Sequence, residues 1–169
     1  MNSKELFVRD TTVIRKSDNL FTAEVSENWS IGNTANGGYS MTLAAKAMSE
    51  FLEHKDPLSI SAHYLDRVDF GTTELHVTHL SSSKSLSTAR VELIQDNKIK
   101  IIFIGTFTDF SFKNDMNIYE RDVPNFPEYN SCEVIPYKEG FNPKLDKNIE
   151  KAYAQDSLWW KKDIDNSSS

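Results

Sequence analysis

The stretch from Trp29 to Glu53, WSIGNTANGGYSMTLAAKAMSEFLE, restricts the fold more than any other part of the chain. A polar turn and two adjacent glycines precede one helix-length run that is small and apolar on nearly all sides. Asn36 stands just before Gly37 and Gly38, placed to cap the helix by accepting from an orphan backbone donor. Behind it Tyr39, Met41, Leu43, Ala44, Ala47, Met48 and Phe51 cover more than a single stripe, which is the mark of a buried helix. Lys46, Ser49 and Glu50 interrupt the run, and it is too short to span a membrane. The helix is expected to end near His54, ahead of Pro57.

The segments around this helix read as strands. Asn19 to Glu27 alternates, with Phe21, Ala23 and Val25 against Thr22, Glu24 and Ser26. Leu58 to Leu65 sets Leu58, Ile60, Ala62 and Tyr64 on one face and Ser59, Ser61 and His63 on the other. Gly71 marks a turn, and Thr73 to Leu80 again alternates about Leu75 and Val77. The tract Ser81–Lys84 reads as a loop. Leu86–Gln95 and Ile99–Phe110 form a hairpin across Asp96-Asn97, residues that tolerate the positive φ of a tight turn. The second of these strands is apolar on both faces and so central, and Gly105 within it signals a bend or a close backbone approach. Residues 1–18 carry only a weak alternating patch from Leu6 to Ile14. The order, strand, long helix, then four antiparallel strands, is an α+β fold: a curved antiparallel β-sheet wrapped around one central α-helix.

One domain is expected over residues 1–112, followed by an irregular, proline-containing extension over 113–169 with a short helix near 148–161 and a disordered end. A net charge of −6 with interspersed signs argues against a nucleic-acid partner. The single cysteine, Cys132, excludes an internal disulfide and leaves no basis for a metal cluster. The first ten residues lack the apolar run of a signal peptide, so a cytoplasmic protein is expected.

Four ordered blocks carry a resemblance: W-x-x-G leading to NGGY, then HKDPLSISAHYLDRVDFG, then SKSLSTARVELIQDNK, then a strand ending TF. Together they resemble the N-terminal half of the TesB-like acyl-CoA thioesterases, in the thioesterase superfamily of hotdog folds. The likeness covers about residues 19–110. It implies a hotdog fold, an acyl-CoA ligand with coenzyme A entering as part of the substrate rather than as a cofactor, and sites formed between two hotdogs. Because this chain has room for one hotdog, the resemblance implies a homodimer. Asp66 and Arg67 depart from the family pattern, which has a basic residue and a proline there. The family's catalytic Asp, hydroxyl residue and Gln lie mostly in its second hotdog, so no catalytic position transfers to this chain.

Thioester hydrolysis needs a place for the developing oxyanion and a group that activates water. The helix start supplies the first. Asn36, Gly37 and Gly38 are the candidate substrate-binding residues, since unpaired N–H groups point outward there and glycines let a carbonyl approach. The same glycines equally suit close fitting of the helix to the sheet. Tyr39 and His63 are candidate lining residues. Glu50 and Glu53 sit over three turns away, about 20 Å along the helix, too far to serve that carbonyl. Ser40 and Thr42 either bind ligand or pack; His76 and His79 have no evident partner. Gln95 matches a strand-end glutamine of the family, and a hairpin terminus explains it as well. Two functions stand: hydrolysis of an acyl-CoA to free acid and CoA, or a catalytically degenerate acyl-CoA-binding or structural hotdog half.

Overall fold

The computed structural model describes residues 2–111, 121, 122 and 124–158. The chain forms two compact units, Met1–Lys113 and Asn114–Ser169.

The first unit begins with a helix, α1 (Ser3–Asp10), where the sequence suggested weak alternation. A capping box overrides that pattern: Asn2 Oδ1 accepts the Glu5 N–H at 2.9 Å, and the Glu5 carboxylate accepts the Asn2 N–H at 3.0 Å. Two orphan donors are satisfied at once, and the polar turn becomes a helix. Asp10, buried at its end, accepts from Arg9 Nε (2.7 Å), Asn28 Nδ2 (2.9 Å) and Trp29 Nε1 (3.1 Å). Phe7 meets the Trp29 ring edge-on at 4.9 Å. One buried carboxylate and one aromatic contact therefore dock α1 against the start of the domain.

After β1 (Ile14–Arg15) and β2 (Leu20–Val25) come the short pair β3 (Ser30–Ile31) and β4 (Thr34–Ala35), then the long helix α2 (Gly37–Phe51). Four strands follow: β5 (Asp56–Tyr64), β6 (Gly71–Ser82), β7 (Ser87–Gln95) and β8 (Lys98–Thr108). The main sheet has six strands in the order β1-β2-β6-β7-β8-β5, antiparallel throughout. Register breaks between Pro57 and Ser59, His79 and Ser81, and Leu93 and Ile94 bend it. The second break lets β6 run on through Ser82, so the loop is shorter than the sequence suggested; Ser82 pairs with Ser87. The β7–β8 turn holds Asp96 at φ 50° and Asn97 at φ 58°, as the dipeptide required.

Helix α2 lies on one face of this sheet, against β2, β5, β6, β7 and β8. Its buried residues, Tyr39, Ser40, Leu43, Ala44, Ala47 and Met48, form one stripe at helical spacing. The expectation of burial on nearly all sides is corrected: Met41, Thr42, Ala45 and Ser49 are half-buried and Lys46 and Glu50 exposed. The sheet covers one side only, and small alanines on that side allow the close approach. At Gly105 a Cβ would lie 2.5 Å from Met48 Sδ and 3.1 Å from the Phe107 ring, so the glycine is the point of closest contact. The helix ends at Phe51, three residues earlier than expected, where Lys55 Nζ donates to the carbonyls of Ser49 (2.8 Å) and Leu52 (2.6 Å). Strand β5 is an edge. Its face bearing Ile60, Ala62 and Tyr64 points toward α2 but lies beyond the stripe, so Tyr64 is 55% exposed, while Leu58, also 55% exposed, falls at the register break.

In the second unit β9 (Glu133–Val134) pairs with β10 (Ala152–Tyr153). Single 3-10 turns occupy Tyr129–Ser131, Lys144–Asn148 and Gln155–Ser157. The short helix expected from 148 is replaced by β10 and a turn, since pairing with β9 takes the backbone groups a helix would use. Trp159, Trp160 and the chain end lie outside the described residues.

Two outcomes follow from this packing. Gly105→Ala forces a methyl into Met48 and lowers stability by about 1–3 kcal/mol. That loss, read from the urea midpoint at unchanged slope, is smaller when Met48→Ala is also present, because the two sites share one space. Burial pushes the Asp10 carboxyl upward, but the bonds from Asn28, Arg9, Ser26 and Trp29 outweigh it, and the net direction is below the ordinary value. Asp10→Asn therefore costs about 1–3 kcal/mol at neutral pH. The gap is complete above about pH 4, the unfolded carboxylate value, and closes as pH falls through the lower folded value; melts across that range measure it.

Candidate functional site

The β3–β4 hairpin turns through Gly32 at φ 61° and delivers the chain to Asn36, whose N–H donates to the Trp29 carbonyl at 2.9 Å. Asn36 adopts φ −62°, ψ 138°, and its Oδ1 accepts the N–H groups of Gly38 (2.9 Å) and Tyr39 (3.1 Å). Its carbonyl takes the Ser40 N–H at 3.0 Å. Of the orphan donors at the start of α2 this leaves the Gly37 N–H, which has no acceptor among the described residues. The cap thus narrows a diffuse helix end to one free donor.

Gly37 opens onto a cavity of about 320 Å³ whose walls include Tyr64, Leu65, Asp66, Arg67 and Val68. The Tyr64 ring lies directly over Gly37: a Cβ there would come within 2.8 Å of the hydroxyl and 2.9 Å of the ring. Tyr64 gets there because it pairs with Ile101, and Ile101, Phe103 and Gly105 all face α2. The glycine is needed for this contact. Gly38 is exposed, and a Cβ there would meet only the capping oxygen of Asn36, at 3.1 Å.

The cavity's outer wall, residues 65–68, and the following Asp69 are held along their length. Leu65 and Asp66 N–H groups donate to the Lys100 carbonyl at 2.9 and 3.0 Å. The Val68 carbonyl accepts from Ala35 N–H (3.0 Å) and Thr34 Oγ1 (2.9 Å). Gln95 grips Asp69 twice, accepting its N–H at 2.9 Å and donating Nε2 to its carbonyl at 2.8 Å. Asp66 accepts from Lys98 Nζ (2.8 Å), the Arg67 N–H (2.9 Å) and Lys100 Nζ (3.3 Å). Those donors, Lys98 foremost, hold its carboxyl well below the usual carboxylate range. It is ionised and fully engaged, which makes it a weak base for activating water.

The other candidates fall elsewhere. Tyr39 is buried on the stripe; its hydroxyl donates to the Asp10 carbonyl at 2.7 Å, lies 3.3 Å from that of Glu24, and accepts the Ser26 N–H at 3.1 Å. It fastens α2 to α1 and β2. His63 pairs with Ile102 and projects from the sheet face opposite α2, away from the cavity at Gly37. Ser40 and Thr42 hydroxyls turn back onto the carbonyls of Asn36 (3.3 Å) and Gly38 (3.0 Å). His76 does have a partner, Glu74 on its own strand at 2.8 Å, and His79 meets Ser82 at 2.8 Å. Tyr64 and Arg67 are the residues that sequence reasoning does not place at the site, and Gln95, read equally as a family glutamine or a hairpin terminus, clamps the loop beside it.

A bent antiparallel sheet laid around one long helix, with the helix start opening to a cavity, defines the hotdog class. Residues 25–109 match the family model of the acyl-CoA thioesterase N-terminal domain, and the chain belongs to that family. It is similar to a Thermobifida fusca protein assigned as a thioesterase II, at 20% identity and a TM-score of 0.79, over 94% of this chain and 58% of that one. A hot dog fold protein of unknown function from Alicyclobacillus acidocaldarius gives 12% and 0.71, over 83% and 52%. A tesB protein of Mycobacterium avium subsp. paratuberculosis gives 19% and 0.66, over 79% and 55%. At these identities the structural likeness speaks to fold. The chain spans between 52% and 58% of the length of these three relatives. No curated protein sequence matches it. No helix among the described residues is long and apolar enough to cross a membrane.

Removing the cap tests the local geometry. Asn36→Ala frees the Gly38 and Tyr39 donors and costs about 1 kcal/mol, measured by chemical denaturation.

Proposed function

We propose that the cavity at Gly37 binds an acyl-CoA thioester in the cytoplasm, with the thioester carbonyl accepting the Gly37 N–H. The observation that carries this reading is that one helix-start donor is left without an acceptor where the cavity reaches the helix, and nowhere else on its first turn. Such a donor favours negative charge through both its hydrogen bond and the helix field, so it stabilises the oxygen as water adds to the carbonyl. Coenzyme A enters as part of the substrate, and no further cofactor is invoked.

Water activation is not provided by the cavity wall. Asp66 is its one carboxylate among the described residues and is held by two lysines. The half-buried flank of α2 and the partly exposed apolar face of β5 lie side by side at the sheet edge. A second hotdog set there covers both and brings further polar groups to the cavity, so the working unit is a homodimer that hydrolyses the thioester. The engagement of Asp66 equally favours a second reading, in which the chain binds acyl-CoA without hydrolysing it.

Thiol release from an acyl-CoA panel, followed alongside calorimetry, separates these readings. Binding with release supports the hydrolase, and binding without release supports the binding module. Absence of both removes the thioester reading altogether. Gly37→Ala pushes the Tyr64 ring off its seat and is expected to weaken binding about ten-fold, equivalent to ~1.4 kcal/mol, while stability stays within about 1 kcal/mol of the parent.

A further inference from the structure

The cavity wall carries one charged side chain that the fold uses only in part. Among the described lining residues Asp66 is the one anion and Arg67 the one cation. Asp66 is consumed by Lys98 and Lys100, and Lys100, whose side chain is 8% exposed, also reaches Asp69 at 3.7 Å. Arg67 is 70% exposed, and its one ion pair among the described residues is the long 3.4 Å contact of Nε with Asp69, a carboxylate it shares with Lys100. Its two terminal guanidinium nitrogens have no partner among the described residues.

The backbone beneath it is the opposite of free. Val68 is tied to Thr34 and Ala35, Asp66 to Lys100, and Asp69 to Gln95. The loop's ordering is therefore complete before any ligand arrives, and only the side chain's own rotamers remain to be fixed. A guanidinium fork presented this way matches the two oxygens of a carboxylate or a phosphate.

We propose that Arg67 is the specificity-determining residue of this cavity and selects thioesters that carry an anionic group. The inference rests on the reading that the cavity receives a thioester at Gly37. The anion is either a carboxylate on the acyl group or a phosphate of the coenzyme. A volume of about 320 Å³ sits at the lower end of small-molecule sites, which suits a short acyl group bearing that carboxylate.

The test uses four thioesters, acetyl and succinyl, each on coenzyme A and on N-acetylcysteamine, which has no phosphate. Dissociation constants are measured for the full chain, Arg67→Gln and Lys84→Gln. Arg67→Gln is expected to weaken binding of anionic ligands about ten-fold, the loss of one hydrogen bond to a charged group. Lys84→Gln, which removes an exposed cation that does not line the cavity, is expected to change it less than about two-fold. A loss confined to the succinyl compounds on both carriers identifies an acyl carboxylate. A loss with both coenzyme A compounds and neither N-acetylcysteamine compound identifies a phosphate. Equal losses on all four, or none, overturn the role of Arg67 while leaving thioester binding intact. If the parent chain binds none of the four, the reading beneath the proposal falls with it.

Discussion

The separation between α2 and its sheet is the constraint on which the rest of the molecule depends. It is set where Gly105 leaves room for Met48, with Leu43, Ala44, Ala47 and Met48 all fully removed from solvent. Any larger residue at 105 lifts the helix, and the helix carries Gly37 with it. Because Gly105 and Tyr64 lie on the paired strands β8 and β5, the same close approach that fills the core also lays Tyr64 over Gly37. Core packing and cavity shape are thus one geometric fact. Tyr39 reinforces it from the other side, since its buried hydroxyl ties the first turn of α2 to Asp10 and Ser26.

Electrostatics then decides which groups at the cavity are available. The cap by Asn36 occupies two helix-start donors and leaves one. Lys98 and Lys100 occupy Asp66 and leave Arg67. In both cases the fold satisfies most of a polar cluster internally and exposes a single member of it. A half-buried polar group without a partner is costly, so the Gly37 donor suits contact with a ligand better than it suits the fold alone. Arg67 is exposed and solvated, and stays available at the cavity mouth. The open groups are a donor and a cation, and both favour negative charge.

Much of this is legible in the sequence because the signals are local. Asn36 before two glycines specifies the cap, Asp96-Asn97 the hairpin turn, and Gly105 the close approach; alternation places Phe21, Ala23 and Val25 inward. Helix α1 escapes that reading although Asn2 and Glu5 stand at capping-box spacing, because the segment's few apolar residues allow a strand pattern as well. Tyr39 looks like a lining residue in sequence since its hydroxyl's partners lie 13 to 29 residues away. His63 stands out over Tyr64 for its chemistry, whereas the alternation of β5 already puts the two on opposite faces. The ion pairs that engage Asp66 join positions 32 and 34 residues apart and leave no trace in local pattern.

The central claim is that one backbone donor, the Gly37 N–H, receives the ligand's carbonyl. Backbone NMR of the full chain titrated with a ketone analogue of acyl-CoA, in which a methylene replaces the thioester sulfur, tests it most directly. The Gly37 amide proton is expected to move downfield on saturation while those of Gly38 and Tyr39, already bonded to Asn36, shift little. An unmoved Gly37 resonance in a saturated complex, or larger shifts at Gly38 and Tyr39 than at Gly37, contradicts the account.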